Sequence, residues 1–203
     1  MFSHGKGIPP AGEGGIFCAS QTKTGEKAHI FPFELRFWPK IFRIPVTKTP
    51  ADPHSAPILV SACLAGRACR FDGSDNKDDR LTELIAGGRA VLICPEEDGG
   101  LGTPRPPAEI VGGDGHDVIA GRARVVTKSG EDVTAEYLEG ARVALQSARE
   151  TGAATAVLKS RSPSCGKGCV YDGSFTRTQI PGDGVTTALL EANGIQVTTD
   201  EDF

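Results

Sequence analysis

The chain has 203 residues, 38% hydrophobic and 24% charged, which suits a globular domain with a full core and argues against wholesale disorder. No apolar stretch approaches the roughly 20 residues of a membrane helix, and the N-terminus lacks a signal-peptide pattern, so a cytoplasmic protein with no membrane partner is expected. Net charge is −4, with seven Lys/Arg against four Asp/Glu in residues 1–52 and fifteen against twenty-two in 53–203. Such an acidic main body has no basic stripe for a large nucleic acid, though a single nucleotide is compatible with it.

Residues 1–55 hold six of the nine Phe and the single Trp, Trp38, among Pro and Gly without periodicity. They read as an N-terminal extension, either poorly ordered or upstream of the true start. Residues 56–203 read as one α/β domain. Ile58–Ala62 is a predicted strand, Cys63–Asp75 a turn, Asp78–Gly87 a helix and Ala90–Cys94 a second strand. A long Pro/Gly loop is expected over 95–116, which at that length implies function. Val118–Thr127 suggests a hairpin or short strand. Thr134–Gly152 is the clearest helix, with Thr134 as its expected cap. A strand over Ala156–Lys159, a helix over Val185–Ala192 ended by Asn193-Gly194, and a strand over Ile195–Thr198 complete the pattern. Strands alternating with helices through short connections predict a small, mostly parallel, Rossmann-like sheet flanked by helices on both faces.

Six cysteines without an export signal point to metal binding or reactivity rather than to disulfides. Cys63, Cys94 and Cys165 each follow a short apolar run and open a polar turn, as in V-S-A-C-L-A-G, V-L-I-C-P-E-E-D-G-G and V-L-K-S-R-S-P-S-C-G. That places all three at the C-terminal ends of parallel strands, where open α/β sheets bind ligands. The paired C-x₂₋₄-C spacing of structural zinc and the dense run of ferredoxin clusters are both absent. Three separated thiolates suit a cluster with one iron left open, and buried core cysteines remain the alternative. Glu96 and Ser162 flank this crevice as candidate proton-handling groups, or else as turn caps. Arg105 and Lys159 are candidate anion or carbonyl contacts, or else salt-bridge partners, for instance of Glu109; Ser164 joins them as a candidate substrate contact. His116 reads as a loop residue. G-D-G-V-T-T (182–187) opens a helix and offers N–H groups to a phosphate, though it is neither a Walker loop nor a dinucleotide fingerprint.

Taken in order, V-S-A-C-L-A-G-R-A-C-R-F-D-G, C-P-E-E-D-G-G-L-G-T-P-R-P-P-A-E-I and L-K-S-R-S-P-S-C-G resemble the signature blocks of the thiouracil desulfidase family. G-G-D-G-H-D-V-I-A-G-R-A-R-V-V, Y-D-G-S-F and G-D-G-V-T-T-A-L-L extend the resemblance from about Ile58 to Val197. The resemblance implies a Rossmann-like fold and a [4Fe-4S] cluster on Cys63, Cys94 and Cys165, supplied by iron–sulfur assembly machinery. It also implies Glu96 and Ser162 as the proton-handling pair, and hydrolytic, non-redox conversion of 2-thiouracil or 4-thio-UMP to the oxo form with release of sulfide. A cluster-dependent dehydratase and a non-enzymatic metal or redox-sensing protein are the rival readings. Cys69 and Cys169 fall outside the implied ligand set. Glu97 stands where the family more often has an apolar residue, and is expected to face solvent.

Overall fold

The structure is a computed structural model that describes residues 56–203, so the extension expected over 1–55 lies outside the described residues. The chain begins with β1 (Ile58–Ser61) and a 3-10 turn (Ala62–Ala65). A second 3-10 turn (Asp79–Leu81) leads into α1 (Thr82–Ala86), followed by β2 (Ala90–Ile93) and α2 (Pro95–Asp98). Next come β3 (Ala108–Val111), α3 (Gly115–Ile119), β4 (Arg124–Thr127) and α4 (Thr134–Thr151). The remaining elements are β5 (Thr155–Leu158), β6 (Val170–Tyr171), β7 (Gln179–Ile180), α5 (Val185–Ala192) and β8 (Gln196–Thr199).

Four of these strands are short, and the two central ones, β1 and β5, are mostly buried because both of their faces are covered. The four form one sheet in the order β2-β1-β5-β8, every neighbour parallel. On one face Leu59, Ile93, Ala156 and Leu158 pack with Ala144, Leu145 and Ala148 of α4 and Leu190 of α5. On the other, Val60 and Val157 pack with Leu64, Leu81 and Leu84. The expected α/β fold, a parallel sheet with helices on both faces, is the observed one. After β2 the chain crosses β1 to form β5 on its far side, so the winding reverses there. The C-terminal ends of β1 and β5 therefore flank a crevice.

In α4 the buried residues are Tyr137, Gly140, Ala141, Ala144, Leu145 and Ala148. Their alternating spacing of three and one is the stripe a helix turns toward a core. Gly152, in the left-handed conformation at φ 75°, ends the helix. Gly140 lets α2 approach closely, since a Cβ there would lie 1.7 Å from the Pro95 carbonyl oxygen. The small β3–β4 antiparallel sheet and the β6–β7 hairpin lie outside the main sheet.

Several local expectations change. The predicted loop 95–116 contains α2, β3 and the start of α3. Pro95 fits the first turn of a helix, and Asp114 caps α3 in a reciprocal box with Asp117, so the apparent breakers punctuate short elements. Within 118–127 the short strand expected there is β4, while the alternative of a hairpin is not formed: Val118 belongs to α3, and β4 pairs with β3. Asp78–Gly87 splits into a 3-10 turn and a five-residue helix, with Asp78 accepting from the Arg80 N–H. Val133, not Thr134, is the N-cap of α4, and the Thr134 hydroxyl instead accepts from the Val125 N–H at 2.9 Å. The β6–β7 hairpin, with strands of two residues each, was not expected. Among the described residues no helix is long and apolar enough to cross a membrane.

Candidate functional site

Because β1, β2 and β5 are parallel neighbours, the residues after them emerge at the same edge of the sheet. Cys63 lies in the 3-10 turn after β1, Cys94 between β2 and α2, and Cys165 in the turn after β5. All three are buried, and all three line one cavity of about 540 Å³. Glu96, Arg105, Lys159 and Ser162 line it too.

The Cys165 turn is built from both sides. The Ser162 hydroxyl accepts from the N–H groups of Ser164 (3.1 Å) and Cys165 (3.2 Å), tightening the turn as a local cap. From below, α5 donates its first N–H groups into it: Val185 to the Pro163 carbonyl at 2.9 Å and Thr186 to the Ser164 carbonyl at 2.8 Å. The Thr187 hydroxyl donates to the Cys165 carbonyl at 2.8 Å. Gly184 permits this approach, since a Cβ there would lie 2.4 Å from the Ser164 oxygen. The G-D-G-V-T-T segment is therefore no phosphate cradle. The N–H groups expected to bind an anion hold the cysteine turn instead.

The thiols differ in acidity. Cys63 is lowered to about 7, chiefly by a hydrogen bond from Cys69 that outweighs burial, with help from Asn76 and the charges of Lys159 and Arg70. Cys94 is also lowered, again first by Cys69. Cys69, lying against both, is pushed up first by its contacts with them and then by burial. Full burial raises Cys165 to about 12. Two of the three strand-end thiols are thus more acidic than an ordinary cysteine, and burial makes the third less so.

Glu96 sits in α2 and is gripped from two sides. Arg105 donates Nε to its Oε2 at 2.8 Å and approaches the same oxygen through a second nitrogen at 2.6 Å. The guanidinium also donates to the Cys69 carbonyl at 3.1 Å, tying the Cys69 segment to the carboxylate. Burial works against the Arg105 charge, and Glu96 more than offsets it. The buried Tyr137 phenol lies beside Glu96, and burial first, then that carboxylate, raises it well above the ordinary tyrosine value. Lys159 lies at the cavity wall with Nζ 2.5 Å from Asp200 Oδ2 and 2.9 Å from the Ser160 hydroxyl.

The ion pairs are not those expected. Arg105 pairs with Glu96 and Lys159 with Asp200, whereas buried Glu109 accepts from the N–H groups of Gly173 and Phe175, each at 3.0 Å. That contact fixes the β6–β7 hairpin over the cavity. Ser164 is fully buried beneath the turn, bonded to the Thr186 hydroxyl at 2.9 Å, and is not among the cavity-lining residues. Glu97 does not simply face solvent, as its carboxylate pairs with Arg67 at 2.6 Å and accepts from the Thr103 hydroxyl at 2.7 Å. His116 lies in α3 rather than in a loop, with Nε2 3.1 Å from the Asp183 carboxylate. Sequence reasoning missed Tyr137, Asn76, Arg70, Arg161, Tyr171 and Arg177 in the cavity wall. Tyr137 had a visible signal, being the one polar-tipped side chain on the buried stripe of α4.

The profile of the 2-thiouracil desulfurase family matches residues 58–202, which includes every residue of this site. The chain belongs to the 2-thiouracil desulfurase family. It resembles YbbK of Bacillus subtilis (strain 168), a protein described as uncharacterized, with 48% identity over 146 residues, 72% of this chain and 97% of YbbK. Among solved structures it resembles the [4Fe-4S]-dependent thiouracil desulfidase TudS, at a TM-score of 0.64 and 46% identity, over 72% of this chain and 91% of that one. The family resemblance read from the sequence blocks is therefore correct. As a 2-thiouracil desulfurase family member the chain also presents a donor set suited to an iron–sulfur cluster. Three soft, buried thiols come from three separate strand ends, and a cavity lies before them.

Proposed function

We propose that this chain is a [4Fe-4S]-dependent hydrolytic desulfidase of a thiolated pyrimidine, with a nucleotide such as 4-thio-UMP favoured over the free base. The observation that carries this reading is the convergence of Cys63, Cys94, Cys165, Glu96 and Ser162 on one cavity at the strand ends. Cys63, Cys94 and Cys165 would hold the cluster, delivered by iron–sulfur assembly machinery, and its open iron would supply a soft Lewis acid for a thiocarbonyl sulfur.

The protein's own groups handle the water. Arg105 fixes the Glu96 carboxylate, which leaves it placed to take a proton from a water in the cavity. Ser162, whose oxygen accepts two backbone N–H bonds, has its own hydrogen to direct toward that water or the substrate. Oxygen from water replaces sulfur on the ring carbon, sulfur leaves as hydrosulfide, and no electrons are exchanged. The nucleotide preference rests on Arg177: of the lining cations, Arg70, Arg105, Lys159 and Arg161 already pair with Asp72, Glu96, Asp200 and Glu201. Among the described residues Arg177 is the one left there to meet an anionic phosphate.

The test is anaerobic purification, iron and sulfide counting, and incubation with 4-thio-UMP and 2-thiouracil while following loss of thiocarbonyl absorbance. Four irons per chain, turnover of the nucleotide, a colourless Cys165→Ala protein and a brown but nearly inactive Glu96→Ala protein are expected. A brown, fully active Cys165→Ala protein would overturn the ligand set. Turnover of the base but not the nucleotide would overturn the phosphate preference.

A further inference from the structure

Cys69 has no role in the ligand set above, yet it is 2% exposed and lines the same cavity. A buried free cysteine is often only a small core side chain. This one instead fronts the cavity, against the sulfurs of Cys63 and Cys94, on a segment held in place by Arg105. The Cys69 and Cys94 sulfurs and a Glu97 carboxylate oxygen all lie within 4.8 Å of one another. A tetrahedral zinc ion with thiolate and carboxylate donors holds them about 3.3–3.8 Å apart, so closing this triangle takes a movement of about 1 Å. Glu97 accepts one bond on each carboxylate oxygen, from Arg67 and from Thr103, and keeps a lone pair on each for a metal.

We propose that the cluster-free protein binds one Zn²⁺ through Cys69 Sγ, Cys94 Sγ and the Glu97 carboxylate, with a cavity water as fourth ligand. Two thiolates select a soft or borderline ion over Mg²⁺ or Ca²⁺, and the missing fourth protein ligand leaves the site open toward the cavity. Cys94 belongs to both donor sets, so zinc and cluster exclude each other. Zinc occupancy holds the chain in a form that cannot be loaded until the ion is removed. That consequence rests on the cluster reading above; the zinc site itself does not.

Full-length cluster-free protein is titrated anaerobically with Co²⁺ as a spectroscopic stand-in, then with Zn²⁺ to displace it. Wild type takes up one Co²⁺ with tetrahedral and thiolate charge-transfer bands. Cys69→Ser and the more conservative Glu97→Gln weaken binding at least tenfold, no less than losing an outer-shell partner costs. Cys63→Ala binds as wild type does, because Cys63 is outside this set. No cobalt bands in wild type, or bands lost in Cys63→Ala and kept in Cys69→Ser, would overturn the site. Zinc-loaded wild type should then fail to take up iron and sulfide on reconstitution, while zinc-treated Cys69→Ser takes them up; equal uptake by both would overturn the exclusion. If the cluster reading is itself wrong, wild type holds no four-iron cluster even without zinc, whatever the cobalt titration shows.

Discussion

Replacing Gly140 by Ala sets two effects of known size against each other. In an exposed helix interior Ala is favoured over Gly by about 1 kcal/mol. At position 140, however, the added Cβ falls 1.7 Å from the Pro95 oxygen and 2.6 Å from the Pro95 carbonyl carbon. An ordinary carbon–oxygen contact is about 3.3 Å or more, so α2 and α4 would have to part by about 1.6 Å, with backbone on one side and a helix interior on the other. Overpacking of this kind costs about 1–3 kcal/mol, occasionally more, and here no flexible side chain can yield. With no group to yield, the cost falls at the upper end, about 3 kcal/mol, so the clash wins and the net loss is about 2 kcal/mol. For a unit of this size that lowers Tm by roughly 4–8 °C. The effect reaches the site because Pro95 stands between Cys94 and Glu96. A misplacement of about 1 Å at a catalytic group costs on the order of 100-fold in rate. Urea unfolding followed by circular dichroism, with turnover of the cluster-loaded enzyme, measures both. A Gly140→Ala protein as stable and as active as wild type would refute the close approach of α2 to α4 and the positioning argument built on it.

Two further expectations follow from the titrating groups. In cluster-free protein the rate of Cys63 alkylation should rise with pH through about 7 and then level, while Cys165, raised to about 12 by burial, stays unmodified below about pH 9; peptide mapping reads both, and equal labelling of the two would contradict their environments. Burial pushes Asp200 upward, but hydrogen bonds from Lys159 and the Ser160 N–H outweigh it and hold the carboxyl below its usual range. Its contribution to stability is therefore complete above the unfolded value near 4 and is lost as pH falls through the lower folded value. The stability gap between wild type and Asp200→Asn should be flat from about pH 5 to 8 and close on acidification, and a gap that widens in acid would reverse the assignment.

The sheet was legible because its two central strands are buried on both faces. Leu59-Val60 and Ala156–Leu158 are continuous apolar runs, each bounded by a turn, and the 3-4 spacing of α4 is unmistakable over 18 residues. The convergence of Cys63, Cys94 and Cys165 on one cavity was legible for the same reason, since a thiol just past such a run can only emerge at one edge. What escaped has too little sequence to carry a period. Pro95–Asp98 is a single turn, and β6 and β7 have two residues each, stabilised by contacts such as Glu109 to the Gly173 and Phe175 N–H groups. Pairing across the chain was equally hidden: Arg105 with Glu96 rather than Glu109, and Tyr137 against Glu96 from a helix some forty residues later. The G-D-G-V-T-T segment shows the limit most plainly. Its free N–H groups were correctly read, but the carbonyls of Pro163 and Ser164 occupy them, which only the folded chain reveals.

Those same bonds set an order of events during synthesis. Cys63 and Cys94 leave the ribosome first, and β1 and β2 can pair while the rest of the chain is being made. The Cys165 turn cannot settle then, because the groups that grip it, the N–H groups at the start of α5, the Thr187 hydroxyl and Asp200 on Ser160, all come later in the chain. On the proposed ligand set, a nascent chain therefore presents Cys63 and Cys94 before Cys165 is held in place. A chain cut short before Gly184 would keep all three of these cysteines while lacking the clamp that brings Cys165 to the other two.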